Sequence, residues 1–163
     1  VEADKKAGWD TITAIGIAGV QGDSTSEARM SGYKKGVEKA GGTYLDAETQ
    51  YADGVSDKAV TAMEAIIQSH PEGIAIIVCN NDDMALGVYD YYKQHNLKLP
   101  LILGINNSPE MNQKIQAGEI YGTVDNGTND QISYICKLLN DILNKDTAKY
   151  HKIWYSKPFA IEK

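Results

Sequence analysis

Apolar positions along this chain fall into short runs separated by longer amphipathic stretches. Thr13–Val20 is a β-prone run that ends at Gln21-Gly22. Ser24–Gly41 reads as a helix: Ser24 and Glu27 have the spacing of a capping box, and Gly41-Gly42 stops it. Thr43–Thr49 is a second strand. Ser56–His70 is a second helix, with Val60, Met63, Ile66 and Ile67 on one face. Ile74–Cys79 is nearly all apolar, as a strand buried on both faces should be. Asp82–His95 is a third helix, for which Asp82 is the expected N-cap. Leu99–Ile105 is a fourth strand. Ser108-Pro109-Glu110 opens another helix with proline in its first turn, Gly118 closes it, and Ile120–Val124 is a fifth strand.

The order βαβαβαβαβ predicts an α/β fold, a doubly wound parallel sheet in three layers. Its crossovers are right-handed and its helices cover both faces. A length of 163 residues suits one such domain. After Asn126 the pattern changes. Asp130–Asn144 is amphipathic, with Ile132, Ile135, Leu138, Leu139 and Ile142 at helical spacing. A strand-like tail, Ile153–Ile161, follows and is interrupted by Pro158. These last elements either add a layer to the same domain or pack on something outside the chain.

Composition removes several function classes. The net charge is −6, so no basic stripe is available to neutralise phosphates and nucleic acid is not an expected partner. Arg29 is the sole arginine, so any planar, bidentate cation must come from it. Cys79 and Cys136 do not make a disulfide framework, and both are expected as small core residues. No apolar stretch approaches the ~20 residues of a membrane span. The start at Val1 suits a processed or trimmed chain. His70, His95 and His151 are scattered without metal-ligand spacing, and neither a nucleophile elbow nor a phosphate-cradling glycine loop is found. No catalytic residue, metal or cofactor is therefore expected.

In an open parallel sheet, ligands bind beyond the carboxyl ends of the strands. Those ends are polar throughout. Strand one is followed by Gln21, Asp23, Thr25 and then Arg29; strand two by Gln50, Tyr51 and Asp53. Strand three leads into Asn80, Asn81 and Asp82, strand four into Asn106 and Asn107, and strand five into Asp125 and Asn126. Amides, carboxylates and one guanidinium suit a carbohydrate. Each sugar hydroxyl both donates and accepts, and planar groups engage adjacent hydroxyls in pairs. Tyr51 is placed to cover an apolar sugar face. Several of the same residues, Asp23, Ser24, Asn107 and Ser108 among them, also have the chemistry of helix caps and turns.

Four segments carry a family resemblance. Asn80-Asn81-Asp82-Asp83-Met84-Ala85-Leu86-Gly87 resembles the Asn-Asp-x-x-Ala-x-Gly segment of type I periplasmic sugar-binding proteins. Ser26-Glu27-Ala28-Arg29 with Gly32 resembles their Ala-Arg helix start. Gly104-Ile105-Asn106 is similar to their Gly-x-Asp, and Gly118–Val124 to their strand into the hinge. The resemblance runs from about Thr13 to Ile142, with galactose/glucose- and ribose-binding members most alike. It implies a two-lobed, non-enzymatic solute-binding protein closing on one monosaccharide for ABC-type import or chemoreception. Such a protein is periplasmic or extracellular and, when complete, a membrane-anchored lipoprotein.

The resemblance also implies sugar contacts by Arg29, Asn81, Asn106 and Asn126, with Asp23 and Thr25 at further contact positions. Asn106 departs from the family's Asp, which removes a charged acceptor. Asp23 and Thr25 depart from the His and Asp of a galactose/glucose binder. By the same resemblance, residues 1–125 form the C-terminal sugar-binding lobe. Residues 126–150 hold a helix belonging to an N-terminal lobe missing from this chain, and 151–163 return to the first lobe. The helix should then expose its apolar face or pair with a second copy. Competing readings are a transcriptional regulator's effector domain, an extracellular sensor domain and a small α/β enzyme.

Overall fold

The computed structural model describes residues 8–145 and 156–162. Val1, His151 and the tail from Ile153 to Tyr155 lie outside them. The elements in chain order are β1 (Thr13–Ala18), α1 (Ser24–Lys39), β2 (Thr43–Tyr44), β3 (Gln50–Tyr51), α2 (Ser56–Ser69), β4 (Ile76–Cys79) and α3 (Asp82–Gln94). They continue with β5 (Leu101–Ile105), α4 (Pro109–Gln116), β6 (Gly122–Asp125), α5 (Thr128–Leu143) and β7 (Phe159–Glu162). The strands form one sheet in the order β2-β1-β4-β5-β6-β7, with β3 also beside β1. All pairings through β6 are parallel, and β7 runs antiparallel along β6 with Asp125 opposite Phe159.

Alternation along the strands builds the two cores. Ile15, Ile17, Ile77, Cys79 and Ile102 face one side, packed with Met63 and Ile66 of α2, Met84 and Val88 of α3, and Met111 and Ile115 of α4. Ala14, Ile76 and Val78 face the other, against Val37 of α1 and Tyr44. Period-two alternation sends neighbouring residues to opposite faces, so a strand in the middle layer must be apolar at every position. β4 is accordingly buried at all its positions.

The expected second strand, Thr43–Thr49, is interrupted. Its middle residues, Asp46–Glu48, leave the sheet as a short 3-10 turn. Both acidic groups then find basic partners outside the sheet: Asp46 meets Lys34 of α1 at 2.8 Å, and Glu48 meets His70 at the end of α2 at 2.6 Å. The first helix is not capped by Ser24 and Glu27. Asp23 is its N-cap and accepts the Ser26 amide at 2.7 Å. Ser108 caps α4 with Pro109 in the first turn, as the sequence predicts. The fifth strand begins at Gly122 rather than Ile120.

Cys79 is buried, but Cys136 is exposed, contrary to the expectation of two core cysteines. It lies on α5, which displays most of its surface to solvent. Ile132, Ile135, Leu139 and Ile142 are all exposed along one stripe of that helix. No helix of the described residues is long and apolar enough to cross a membrane.

Candidate functional site

With β2 and β3 counted as one strand, the sheet order reverses direction between β1 and β4. That is the switch point at which open α/β sheets form a crevice beyond the strand ends. Gly19 follows β1, and its amide donates to the buried Ser26 hydroxyl at 2.9 Å. A Cβ on Gly19 would run into the Asn80 side-chain amide, so a larger residue there would force that side chain to shift.

Arg29 reaches this rim from the second turn of α1. Its Nη1 donates to the Asn80 carbonyl at 2.8 Å, which anchors the guanidinium across the end of β4. One turn further on, the Tyr33 hydroxyl donates to the Gly104 carbonyl at 2.9 Å and pins α1 over β5. Burial pushes the Tyr33 phenol far above its ordinary range, so it stays a neutral donor. Arg29 and Tyr33 line a hollow of about 290 Å³ with Ala28, Gly32, Ile105 and Val124. Ile105 and Val124 immediately precede the polar ends of β5 and β6.

Those two ends are tied together. Asn126 donates from Nδ2 to Asn106 Oδ1 at 3.1 Å, and Asn107 donates from Nδ2 to Asp125 Oδ2 at 3.0 Å. The Asn107 side-chain donor, with the Gly127 amide, holds the Asp125 carboxyl below the usual carboxylate range. Asn106 and Asn107 both have positive φ, 133° and 58°. Two left-handed residues in succession, neither of them glycine, are sterically disfavoured and must be held by their surroundings.

The structure therefore pairs Asn106 with Asn126 and sets Arg29 over the hollow lined by Ile105 and Val124, which lead into that pair. Asn81 stands nearby and holds two backbone groups: Oδ1 caps α3 by accepting the Met84 amide at 2.9 Å, and Nδ2 donates to the Gly54 carbonyl at 2.9 Å. Asp82, expected as that cap, lies inside the helix, nearly fully buried, with its carboxylate turned toward β6 and α4. Asp23 is occupied as the cap of α1, and Thr25 is exposed in that helix's first turn. Tyr51 is 46% exposed and lines a separate hollow of about 360 Å³ with Ser26, Met30 and Lys34, on the outer flank of β1. The tyrosine and the Arg29 group thus face different hollows.

Sequence reasoning missed Tyr33, which follows Arg29 by one helical turn and so shares its face. It also missed the pairing of Asn107 with Asp125. Among the described residues, no group of three or more His, Cys, Asp or Glu side chains could hold a metal ion.

The family model described as "Periplasmic binding protein domain" matches residues 3–147. The chain belongs to the periplasmic binding protein family. Members of this family bind solutes rather than transform them. The chain is 30% identical over 147 residues to the D-galactose/methyl-galactoside binding periplasmic protein MglB of Haemophilus influenzae, a match covering 88% of the chain and 43% of that protein. It is 32% identical over 109 residues to the D-allose-binding periplasmic protein of Escherichia coli, covering 66% of the chain and 34% of that relative. The chain thus spans less than half the length of these relatives.

Among solved structures, a periplasmic solute-binding protein of an ABC transporter from Actinobacillus succinogenes, with bound D-allose, superposes with a TM-score of 0.83. The identity is 20%, and 98% of this chain and 55% of that one are covered. The Caulobacter myo-inositol binding protein superposes with a TM-score of 0.80 at 25% identity, covering 99% and 57%. The fold is therefore the α/β lobe of a type I periplasmic binding protein.

Proposed function

We propose that this chain is the C-terminal lobe of a two-lobed protein that captures a monosaccharide outside the cytoplasm and presents it to an ABC-type importer or a chemoreceptor. One observation carries this reading. Arg29 crosses the end of β4 and lines a hollow with Ile105 and Val124, beside the strand ends that Asn106 and Asn126 tie together, on a chain that spans about half of its sugar-binding relatives. In this reading Arg29, Asn106 and Asn126 contact the sugar directly. Asn81 shapes the rim while capping α3, and Asp23 and Thr25 border it. Tyr51 covers the ligand only if a second lobe steers the sugar toward the outer flank. That lobe supplies the other jaw and covers the apolar stripe of α5. A lipid anchor on the complete protein would keep it beside the importer.

The test is calorimetric titration of the complete protein with a panel of neutral monosaccharides, alongside Arg29→Ala. The expected result is saturable binding of one or a few sugars, weakened at least tenfold by the substitution. A charge-assisted hydrogen bond lost from a desolvated site costs ~1.5–3 kcal/mol, which is about that factor or more. A complete protein that binds no monosaccharide would overturn the function. Undiminished binding by Arg29→Ala would overturn the site.

A further inference from the structure

We infer that Asp82 is a positioning residue for the sugar site: its buried carboxylate holds the Asn106-Asn107 turn that sets Asn106 on the rim. This rests on the proposed sugar-binding function and adds to it a residue that never touches the ligand.

Asp82 is 1% exposed. Its two oxygens take donors from two different elements. Oδ1 accepts the Thr123 hydroxyl of β6 at 2.6 Å, and Oδ2 accepts the Ser108 amide at 2.7 Å. Ser108 is the residue that closes the left-handed pair Asn106-Asn107 and caps α4. The beginning of the same turn leans on β6, since the Asn106 amide donates to the Val124 carbonyl at 2.9 Å. Val124 follows Thr123 directly. Asp82 therefore grips the amide that ends the turn and the strand on which the turn starts.

The neighbourhood is shaped around this carboxylate. A Cβ on Gly104, two residues before the turn, would collide with Asp82 Oδ1 and lie 3.0 Å from Met111 Cε. Burying a carboxylate is costly unless its oxygens are paired, and packing alone would be better served by an apolar side chain. The adjacent Asp83 shows the contrast. It is exposed and simply accepts the Ser56 amide at 2.9 Å. What Asp82 secures is a turn that backbone sterics alone would release.

The experiment uses the complete protein and four variants: Asp82→Ala, Asp82→Asn, Asn106→Ala and the double Asp82→Ala/Asn106→Ala. Asp82→Ala is expected to weaken monosaccharide binding at least tenfold. Asp82→Asn should restore most of it, because its oxygen still takes the Ser108 amide while the Thr123 hydroxyl turns to accept. The double variant should bind no more weakly than Asn106→Ala alone, within twofold, because Asp82 acts through Asn106. Hydrogen exchange of the ligand-free protein should show the Ser108 amide accelerated at least tenfold by Asp82→Ala, with the Ile15 amide unchanged. If Asp82→Ala does not fold, Thr123→Val removes one of the two donors and should give smaller shifts of the same kind.

Losses that multiply independently in the double variant would overturn the proposal. So would an unchanged Ser108 amide. A wild-type protein that binds no monosaccharide would sink the function instead, and the Ser108 exchange would still decide the role of Asp82.

Discussion

The apolar stripe of α5 gives the most direct test of whether a second lobe completes this protein. Consider replacing Ile135 and Leu139, four residues apart on one face, with serine. Ile135 is 58% exposed and Leu139 54%. Full burial of such a side chain is worth ~1.5–3 kcal/mol, and rather more than half of each surface is still open, so covering the pair adds about 2–3 kcal/mol. Serine also lowers helix propensity and removes the burial the helix already provides, but those costs are the same with and without a second lobe. The quantity to measure is therefore a difference. Urea-dependent hydrogen exchange at the α5 amides is followed in this chain and in the complete protein, each with and without the double substitution. Reading α5 locally avoids assuming that a two-lobed protein unfolds in one step. The chain is studied across a dilution series, because an exposed stripe also invites pairing between copies. The substitutions should cost about 2–3 kcal/mol more in the complete protein than in dilute chain. Equal costs in the two would refute the reasoning, because α5 would then have no cover to lose.

Four further outcomes follow from the geometry. Asp23→Ala removes the cap of α1 and should lower stability by about 1 kcal/mol in denaturant titrations, with Asp23→Asn close to wild type. Gly104→Ala drives a Cβ into the Asp82 carboxylate and should cost ~1–3 kcal/mol as an overpacked site, read by thermal unfolding. His70 stands between Glu48 at 2.6 Å and Glu72 at 3.2 Å, and its hydrogen bond to Glu48, reinforced by Glu72, raises its pKa. The folded pKa exceeds the unfolded one, so this stabilisation is full below about 6.5 and fades as pH rises through the folded value. His70→Gln should therefore be destabilising in denaturant titrations at pH 5.5 and nearly neutral at pH 8.5. A thiol reagent should modify one cysteine, Cys136, quickly in the native protein. Cys79 should react only on unfolding, because burial raises its pKa and shields it.

The fold was legible because its signals are redundant. Ile74–Cys79 is apolar at nearly every position, and only a strand in the middle layer of a doubly wound sheet wants that. The interruption at Asp46–Glu48 was not legible, and the partners of its two acidic residues, Lys34 and His70, are distant in sequence but close in the fold. The direction of β7 was hidden for a similar reason: alternation marks a strand but not its sense. At the rim, the residue types were readable and their commitments were not. Asn81 and Asp82 are both good caps by chemistry, and one residue of register decides which of them closes α3. That register is set when Asp82 meets Thr123 and Ser108, 41 and 26 residues away. The positive φ of Asn106 leaves no mark on the sequence beyond the tolerance of asparagine for it. Cys136 was misplaced because a helix with an apolar stripe reads as core whether or not the chain contains what covers it.

The antiparallel match of β6 and β7 has an engineering consequence. With Asp125 opposite Phe159, these strands are the two arms of a β-hairpin, and everything from 126 to 158 is an insertion at its tip. Arms so placed can be joined by about two residues in a tight turn. Splicing such a turn between Asp125 and Phe159 would excise α5 and leave every other strand with its partner. The product would be a smaller α/β module with the same sheet, without the greasy helix and without Asn126, ready for grafting or display. What looks like a chain crossing between two bodies is, in connectivity, a removable loop.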